Sequence, residues 1–134
     1  IQKDKSVIVL IPEIILTTQM QDRFLKYFGN QVAVWHSKMT LNEKLFTLKK
    51  IKNGDYKIII GARSSIFTSL PNIGLIIIDE EQDSSYKQES PKPYYNARDV
   101  GFMRALYSNC PIVLTSATPS IDMYYNSVVG KISF

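Results

Sequence analysis

The sequence contains a single cysteine, Cys110, and no long apolar run. One cysteine excludes an internal disulfide framework and a cysteine-rich zinc site within these residues. The longest apolar runs, such as VIVLI and IGLIII, are far shorter than the roughly 20 residues that a membrane-spanning helix requires. No signal peptide is visible. These absences favour a soluble cytoplasmic protein that has no membrane partner.

The sequence also carries little excess charge of either sign. Its 16 lysines and arginines face 12 aspartates and glutamates, which gives a formal net charge of +4 at pH 7. Such a mild excess is compatible with a polyanionic partner but does not require one. The 134 residues are 45% hydrophobic and 21% charged, as is typical of one folded domain and not of a disordered chain.

Five short runs rich in valine and isoleucine are separated by longer amphipathic segments. The runs lack strict polar alternation, which is typical of strands that are covered on both faces of a parallel sheet. They occupy residues 6–11, 32–35, 57–61, 73–78 and 111–115. The sequence therefore predicts five parallel strands.

Helical periodicity appears in the connecting segments. Residues 13–29, 40–54, 97–107 and 120–127 are predicted to form helices. In the second helix, Thr40 and Glu43 have the spacing of a capping box. The apolar stripes of the first two helices consist of Met20, Phe24 and Phe28, and of Leu41, Leu45, Leu48 and Ile51. Strand–helix–strand repetition of this kind predicts an α/β fold with three layers around a parallel sheet.

A dense acidic cluster follows the fourth predicted strand, where IGLIII runs directly into Asp79, Glu80 and Glu81. Ligands of parallel sheets bind outside the carboxyl ends of the strands. One carboxylate at such an end can hold a hydrated Mg²⁺, while its neighbour orients or deprotonates a water that attacks a phosphate. Taken alone, however, an apolar run followed by two acids is more typical of a polar loop after a buried strand.

A second segment, IVLTSATPS, places Thr115, Ser116 and Thr118 after the fifth predicted strand. Together the two segments resemble motifs II and III of superfamily-two helicases, and most closely those of the primosomal replication-restart helicases. Six segments follow that family's order, which makes the resemblance specific. They are IPEIILTTQM, VAVWHS, GARSSIF, LPNIGLIIIDEEQDSSYKQ, YYNARDV and LTSATPS.

This resemblance implies a RecA-like helicase lobe with the P-loop NTPase fold. Residues 1–134 would form part of the ATP-binding domain, from motif Ia to motif III of the first lobe. The implied activity is that of an ATP-dependent 3′–5′ DNA helicase in primosome assembly and replication restart, which couples hydrolysis of Mg-ATP to translocation along single-stranded DNA. The implied partners are single-stranded and forked DNA and the other primosome and replication-restart proteins.

The resemblance also implies roles for the residues of motifs II and III. Asp79 would hold Mg²⁺ through water, and Glu80 would be the catalytic base. Gln82 stands where this family usually has histidine, and its amide can donate and accept hydrogen bonds but cannot become cationic. The residues implied to couple this site to the second lobe are Glu81, Ser116 and Thr118.

Three further segments are expected to contact DNA. A helix start offers free N–H groups to phosphates, and aromatic rings interleaved with cations suit single-stranded nucleic acid. The candidates are Pro12, Thr17 and Gln19 in motif Ia, Arg63 and Ser64 in motif Ib, and Tyr86, Lys87, Tyr94, Tyr95 and Arg98 in an aromatic-rich loop. An ordinary helix start and a solvated loop cation are the alternative interpretations of the first two segments. In the aromatic-rich loop we expect both roles, with one or two tyrosines packed against the core and others in contact with DNA.

The sequence contains no phosphate-binding loop of the form G-x-x-x-x-G-K-[ST]. In the resembling family that loop and its strand precede motif Ia, while the second lobe and the zinc-binding cysteines follow motif III. We therefore expect the 134 residues alone to hold no zinc, to hydrolyse no ATP and to leave the strand at 112–115 on an open edge of the sheet. The alternatives are a non-catalytic nucleic-acid-binding module or a protein-interaction module derived from a helicase lobe.

Overall fold

The computed structural model describes residues 4–133 as seven strands and four α-helices. The strands are β1 (Ser6–Leu10), β2 (Val32–Trp35), β3 (Ile58–Gly61), β4 (Ile73–Ile78), β5 (Lys87–Gln88), β6 (Tyr95–Asn96) and β7 (Ile112–Leu114). The helices are α1 (Thr18–Phe28), α2 (Leu41–Lys52), α3 (Ala97–Tyr107) and α4 (Ile121–Val128). None of these helices is long and apolar enough to cross a membrane.

The five predicted strands form one sheet with the order β2-β3-β1-β4-β7, and every neighbouring pair is parallel. The predicted α/β architecture is thus confirmed. The short strands β5 and β6 pair separately as an antiparallel ladder. They enclose the segment after the acidic cluster, and we call residues 87–96 the hairpin.

Burial on both faces explains the continuous apolar runs of the central strands. Ile8 of β1, Ile59 of β3 and Ile76 of β4 are completely buried. One face of the sheet forms a core with Ile51 of α2 and Ala105 of α3, while the other face packs against the apolar side of α1. The sheet is therefore the middle layer of three.

The predicted apolar stripes are only partly buried. Phe28 of α1 is exposed, as are Leu41 and Leu45 in the first half of α2. The buried residues of α2, Thr47 and Ile51, lie in its C-terminal half, so only that half follows the core. The capping box at the start of α2 is present as expected. Helical periodicity therefore located the helices but did not show how far along each helix the core extends.

The strand β7 lies at the edge of the sheet, as predicted. Beside it is a cavity of about 620 Å³, whose lining includes the three residues of β7, Phe102 of α3 and Met123 of α4. Val113 in the middle of the strand is 44% exposed. An open strand edge with apolar surroundings favours association with another chain segment.

Close packing fixes α3 against the sheet. A Cβ atom on Gly101 would lie 3.0 Å from Cδ1 of Ile78, so glycine permits the helix to approach β4. Further along the helix, the guanidinium of Arg104 donates to the carbonyls of Ile66 and Thr68. These contacts fix the position of α3, and with it the position of the first turn of this helix.

Gly61, at the end of β3, lies in a second closely packed place, between Trp35 of β2 and Ser65. A Cβ atom there would lie 2.3 Å from the Trp35 carbonyl and 2.7 Å from Cβ of Ser65. We expect Gly61→Ala to lower the free energy of unfolding by about 3 kcal/mol, because backbone must shift to relieve the clash. The control is Gly54→Ala, whose Cβ meets nothing within 4 Å and whose positive φ costs only about 1–2 kcal/mol. Equal losses in urea unfolding would contradict the steric argument.

Candidate functional site

The acidic and hydroxyl segments meet because the hydrogen bonds of the sheet continue past the strand ends. The Asp79 N–H donates to the Leu10 carbonyl at 2.9 Å, and the Thr115 N–H donates to the Ile78 carbonyl at 2.9 Å. The Glu81 N–H then donates back to the Thr115 carbonyl at 3.0 Å. The two segments are therefore held side by side at the carboxyl-end rim of the sheet.

Asp79 is positioned by hydrogen bonds from both segments. Its Oδ1 accepts from the Thr115 hydroxyl and, at 3.1 Å, from the Glu80 N–H. Among residues 4–133 no group of three or more His, Cys, Asp or Glu residues could hold a metal ion. Mg²⁺ suits this donor set, because it keeps several waters and is commonly bound by one or two carboxylates together with substrate phosphates.

Glu80 and Gln82 form a chain of hydrogen bonds with the hydroxyl segment. Gln82 Nε2 donates to Glu80 Oε2 at 2.7 Å, and the Ser116 hydroxyl donates to Gln82 Oε1 at 2.6 Å. Ser116 Oγ in turn accepts from the Thr118 N–H at 3.0 Å. The amide of Gln82 thus bridges the candidate base and motif III, a role that needs both a donor and an acceptor but no positive charge.

The backbone at Glu80 adopts an uncommon conformation. Its φ is +49°, which lies in the left-handed region that residues with a Cβ seldom occupy. The turn is closed by the Asp83 N–H, which donates to the Glu80 carbonyl at 2.8 Å. Such strain costs about 1–3 kcal/mol and is found most often at functional sites.

Glu81 turns away from its two acidic neighbours and into the protein. Its side chain is only 2% exposed, and it accepts from the Ser120 N–H at 2.6 Å and from Arg98 Nη1 at 2.8 Å. The hydroxyl of Ser120 also accepts from the Met123 N–H and so caps α4. Ser120 was not among the predicted site residues, although a serine directly before a helical segment is a recognisable cap signal.

The position of Arg98 does not fit the predicted DNA contact. The side chain is 12% exposed, and its guanidinium faces Glu81. Arg98 lies in the first turn of α3, which packs against the sheet, and its guanidinium points inward to Glu81. A guanidinium that is buried against a carboxylate is not available to a phosphate.

Tyr86 also departs from its predicted role. Its side chain is 1% exposed and belongs to the core, and its hydroxyl donates to the Asp79 carbonyl at 2.6 Å. The ring cannot stack on a base from that position. Burial, together with the nearby carboxylates of Asp79, Asp83 and Glu80, raises the pKa of the Tyr86 phenol well above its ordinary range.

Arg63 anchors the base of the hairpin. Its Nη1 donates to the Lys87 carbonyl at 2.8 Å and to the Ser85 carbonyl at 3.2 Å. The guanidinium also lies 5.8 Å from the centre of the Tyr95 ring, which makes an edge contact with Phe67. Arg63 and Tyr95 are therefore half-buried and engaged in contacts within the protein.

The hairpin carries exposed aromatic and cationic groups at its tip and one exposed lysine, Lys87, at its base. Tyr94 is 64% exposed, and Lys92 Nζ lies 5.8 Å from the centre of its ring. Lys87 is exposed as well and pairs with Glu89 at 2.8 Å. Gln88 holds the loop in shape by donating to the carbonyls of Pro91 and Pro93. Of the predicted aromatic-loop residues, Tyr94 and Lys87 are thus the ones that can reach a ligand.

The motif Ia and Ib candidates are divided between the interior and the surface. Pro12 is buried, and its carbonyl accepts from two N–H groups of the next turn, so its side chain does not fit a DNA contact. Thr17 caps α1 by accepting from the Met20 N–H. Gln19 is exposed, and Ser64 accepts from the Trp35 indole at 3.1 Å. Only Gln19 remains without a structural task among these four.

The fold and the paired motifs define a helicase lobe. Residues 1–125 match the model of the DEAD/DEAH box helicase family, and the chain belongs to that family.

The resemblance to the replication-restart helicases is confirmed by curated relatives. The chain is 52% identical over 123 residues to the Replication restart protein PriA of Synechocystis sp., and 48% identical over 128 residues to that of Bacillus subtilis. The alignments cover 92% and 96% of this chain, but 15% and 16% of the two relatives. The chain therefore spans about a sixth of the length of these proteins.

Solved structures agree on the fold. The C-terminal domain of S. cerevisiae Dbp5 bound to Gle1 and IP6 has a TM-score of 0.62 at 14% identity, over 96% of this chain and 71% of that domain. The C-terminal part of the Fun30 ATPase domain has a TM-score of 0.54 at 16% identity, over 94% of this chain and 39% of that one. At such low identity the likeness is one of fold, that of a RecA-like helicase lobe.

The buried hydroxyl of Tyr86 predicts a measurable pH dependence. We expect Tyr86→Phe to lower the free energy of unfolding by about 1–2 kcal/mol at pH 7, because the Asp79 carbonyl loses its donor. The folded phenol has a raised pKa and keeps its proton, whereas the unfolded phenol loses it above about pH 10. Stability should therefore decline above pH 10, and this part of the decline should disappear in the variant.

The control for this experiment is Tyr107→Phe, since Tyr107 is 81% exposed and its hydroxyl lies at the surface. The measurement is urea unfolding between pH 7 and 11 for the wild type and both variants. Parallel stability curves for wild type and Tyr86→Phe above pH 10 would contradict the buried hydroxyl.

Proposed function

We propose that this chain is part of an ATP-dependent 3′–5′ DNA helicase that acts in replication restart and primosome assembly. Residues 1–134 would supply motifs Ia to III of the first RecA-like lobe. The observation that carries the proposal is the hydrogen-bond chain that joins Glu80, Gln82 and Ser116 at the carboxyl-end rim. The family match and the similarity to the PriA proteins support the same interpretation.

In this proposal the acids divide the work of phosphoryl transfer. Asp79 would hold Mg²⁺ through water, and Glu80 would orient the attacking water and accept its proton. The bound Mg²⁺ would neutralise the charge that develops on the phosphates. Gln82 donates to the same Glu80 carboxylate, so it fixes the direction of the base without competing for the proton.

The contact between Gln82 and Ser116 provides a connection from the base to motif III. Ser116 and Thr118 are joined by a hydrogen bond, and Thr118 is exposed at the end of this segment. A second lobe that touches Thr118 would therefore act on Glu80 through two side chains. This arrangement supports the coupling role proposed for both residues.

Single-stranded DNA is the substrate that best fits the hairpin tip. At the tip Tyr94 offers an exposed ring for base stacking and Lys92 a cation for a phosphate, and Lys87 offers a second cation at the base of the hairpin. The base of the hairpin is tied by Arg63 to the turn that contains Tyr86, and Tyr86 contacts Asp79. A ligand at the tip would thus be connected to the acidic segment by a short series of contacts.

The hydrolysis step can be tested with the chain and with the full-length protein that contains it. We expect the 134 residues alone to release no phosphate from ATP, because positioning of the triphosphate requires a loop that their sequence lacks. In the full-length protein, Glu80→Gln should lower turnover by about 100-fold or more, since it removes a general base. Nucleotide affinity should be retained, because the variant preserves the shape of the side chain.

The measurements are steady-state phosphate release with and without single-stranded DNA, and nucleotide binding by equilibrium titration. Asp55→Asn, which changes an exposed acid outside the site and the hairpin, is the control. If the 134 residues alone hydrolysed ATP at a robust rate that depended on Glu80, the requirement for a phosphate-binding loop would be contradicted. Full activity of Glu80→Gln in the full-length protein would contradict the role of the base.

The hairpin tip can be tested separately in the full-length protein. Stacking contributes about 1–3 kcal/mol per base, so Tyr94→Ala should weaken binding of single-stranded DNA roughly 5- to 100-fold and reduce the DNA-stimulated rate. The rate without DNA reports whether the nucleotide site is intact. Tyr107→Ala, which removes another exposed tyrosine outside the hairpin, is the control. Unchanged DNA stimulation in Tyr94→Ala would remove the hairpin from the mechanism.

A further inference from the structure

Arg98 and Glu81 form the most buried ion pair among residues 4–133. Their side chains are 12% and 2% exposed, and Nη1 of the arginine lies 2.8 Å from Oε2 of the glutamate. The hydroxyl of Ser120 contacts both partners, at 3.0 Å from each. The other ion pairs in the described part of the chain that do not involve Arg98 have at least one partner more than a third exposed.

The surroundings of Arg98 leave it no capacity for a phosphate. Besides Glu81, the carboxylates of Asp122 and Asp99 lie 3.7 Å and 3.8 Å from its guanidinium nitrogens. One cation is therefore surrounded by three acids. A polyanion approaching this cluster would meet a net negative charge.

The geometry of the guanidinium shows which contact determines its position. The Nε N–H of Arg98 is buried and has no hydrogen-bond partner in the described part of the chain. Leaving a buried donor without a partner is costly. The side chain nevertheless leaves Nε without one, while Nη1 reaches both Glu81 and Ser120. The arginine is thus placed for these two partners.

Three segments of the proposed site meet at this cluster. Glu81 directly follows the candidate base Glu80. Arg98 lies two residues after the end of the hairpin, where the Asn96 side chain accepts from its N–H at 2.9 Å. Ser120 lies two residues after Thr118 and begins α4. The cluster is therefore the place where the hairpin, motif II and the end of motif III are tied together.

We propose that Arg98 and Glu81 are positioning residues that hold the acidic segment in register with the hairpin and with α4. The inference rests on the proposed function of the acidic segment, but the contact itself can be tested without it. The members of a buried ion pair tend to move together, because separating them leaves a buried charge without a partner. A movement of the hairpin at its exit into α3 would thus displace Glu81, and with it the turn that carries Glu80.

The first experiment is a double-mutant cycle on the 134 residues, read by thermal unfolding. Arg98→Met and Glu81→Leu should each lower the unfolding midpoint by roughly 10 °C. Arg98→Met leaves the buried Glu81 without a counter-charge, and Glu81→Leu leaves Arg98 only its longer contacts with Asp99 and Asp122. The double variant should recover at least half of that loss, since an apolar pair of similar size replaces the ions. Arg98→Lys, which retains the charge, should lie between Arg98→Met and the wild type.

The matched control is the same cycle at Lys87 and Glu89, an ion pair of the same 2.8 Å length whose side chains are 65% and 73% exposed. Lys87→Met, Glu89→Leu and their double variant should each shift the midpoint by no more than about 2 °C. Additive losses at Arg98 and Glu81, or shifts as small as those of the control, would overturn the proposed pairing.

The second experiment distinguishes positioning from stability alone. In backbone amide spectra of the 134 residues below the unfolding midpoint, Arg98→Met should shift the signals of Gln82, Ser116 and the hairpin residue Gln88. Arg98→Lys should return them toward their wild-type positions. Shifts confined to the immediate neighbours of residue 98 would overturn the positioning role.

The third experiment separates positioning from DNA contact in the full-length protein. Arg98→Met should lower the maximal DNA-stimulated rate about 10-fold or more while the salt dependence of DNA affinity stays unchanged. Lys87→Met should instead reduce the slope of log affinity against log salt by about 0.7, the value for one phosphate contact on a single strand. A reduced slope in Arg98→Met would overturn the inference. A wild-type protein without DNA-stimulated hydrolysis would contradict the proposed function, and the first two experiments would still decide the role of the pair.

Discussion

The parallel ladder between β4 and β7 is the constraint on which the rest of the site depends. Its hydrogen bonds continue beyond both strands, from the Thr115 N–H to the Ile78 carbonyl and from the Glu81 N–H to the Thr115 carbonyl. Because 36 residues separate Asp79 from Thr115 in the sequence, only this ladder brings their side chains together. The rest of the site is arranged around that meeting point: the hairpin and α3 lie in the connection between the two strands, and α4 follows directly after the second.

The three consecutive acids have different surroundings because the backbone turns sharply between them. Asp79 ends the strand and faces the hydroxyl segment, while the positive φ of Glu80 turns the chain so that Glu81 points into the interior. Repulsion between neighbouring carboxylates is reduced by this divergence and by the guanidinium that meets the third acid. The density of negative charge in the sequence thus corresponds to two separate sites, one at the rim and one in the interior.

The sequence was sufficient to predict the parallel sheet and the capping box of α2, because each depends on local pattern and on rules of chain connection. The edge position of the fifth strand and the shared site of the acidic and hydroxyl segments followed from the resemblance to helicase motifs. It could not predict that Tyr86 and Arg98 point inward. Both residues belong to a polar, aromatic-rich segment, and their burial depends on Asp79 and Glu81, which lie 7 and 17 residues away in the chain. The exposure of Leu41 and Leu45 was not predicted for a similar reason. Periodicity identifies the apolar side of one helix, but it does not show how far along that helix the core extends.

The cap of α4 has a consequence for the order in which parts of the protein open. Glu81 accepts from the N–H and the hydroxyl of Ser120, so a carboxylate from motif II lies at the positive end of the dipole of α4. Fraying of the first turn of this helix would leave Glu81 with fewer partners in a buried setting, and the free energy of that opening includes the loss of these bonds. A short helix whose side chains are largely exposed ordinarily opens independently of the core. Here α4 and the segment that follows β4 form one cooperative unit, so slow exchange of amide hydrogens would extend from the centre of the sheet into the first turn of α4.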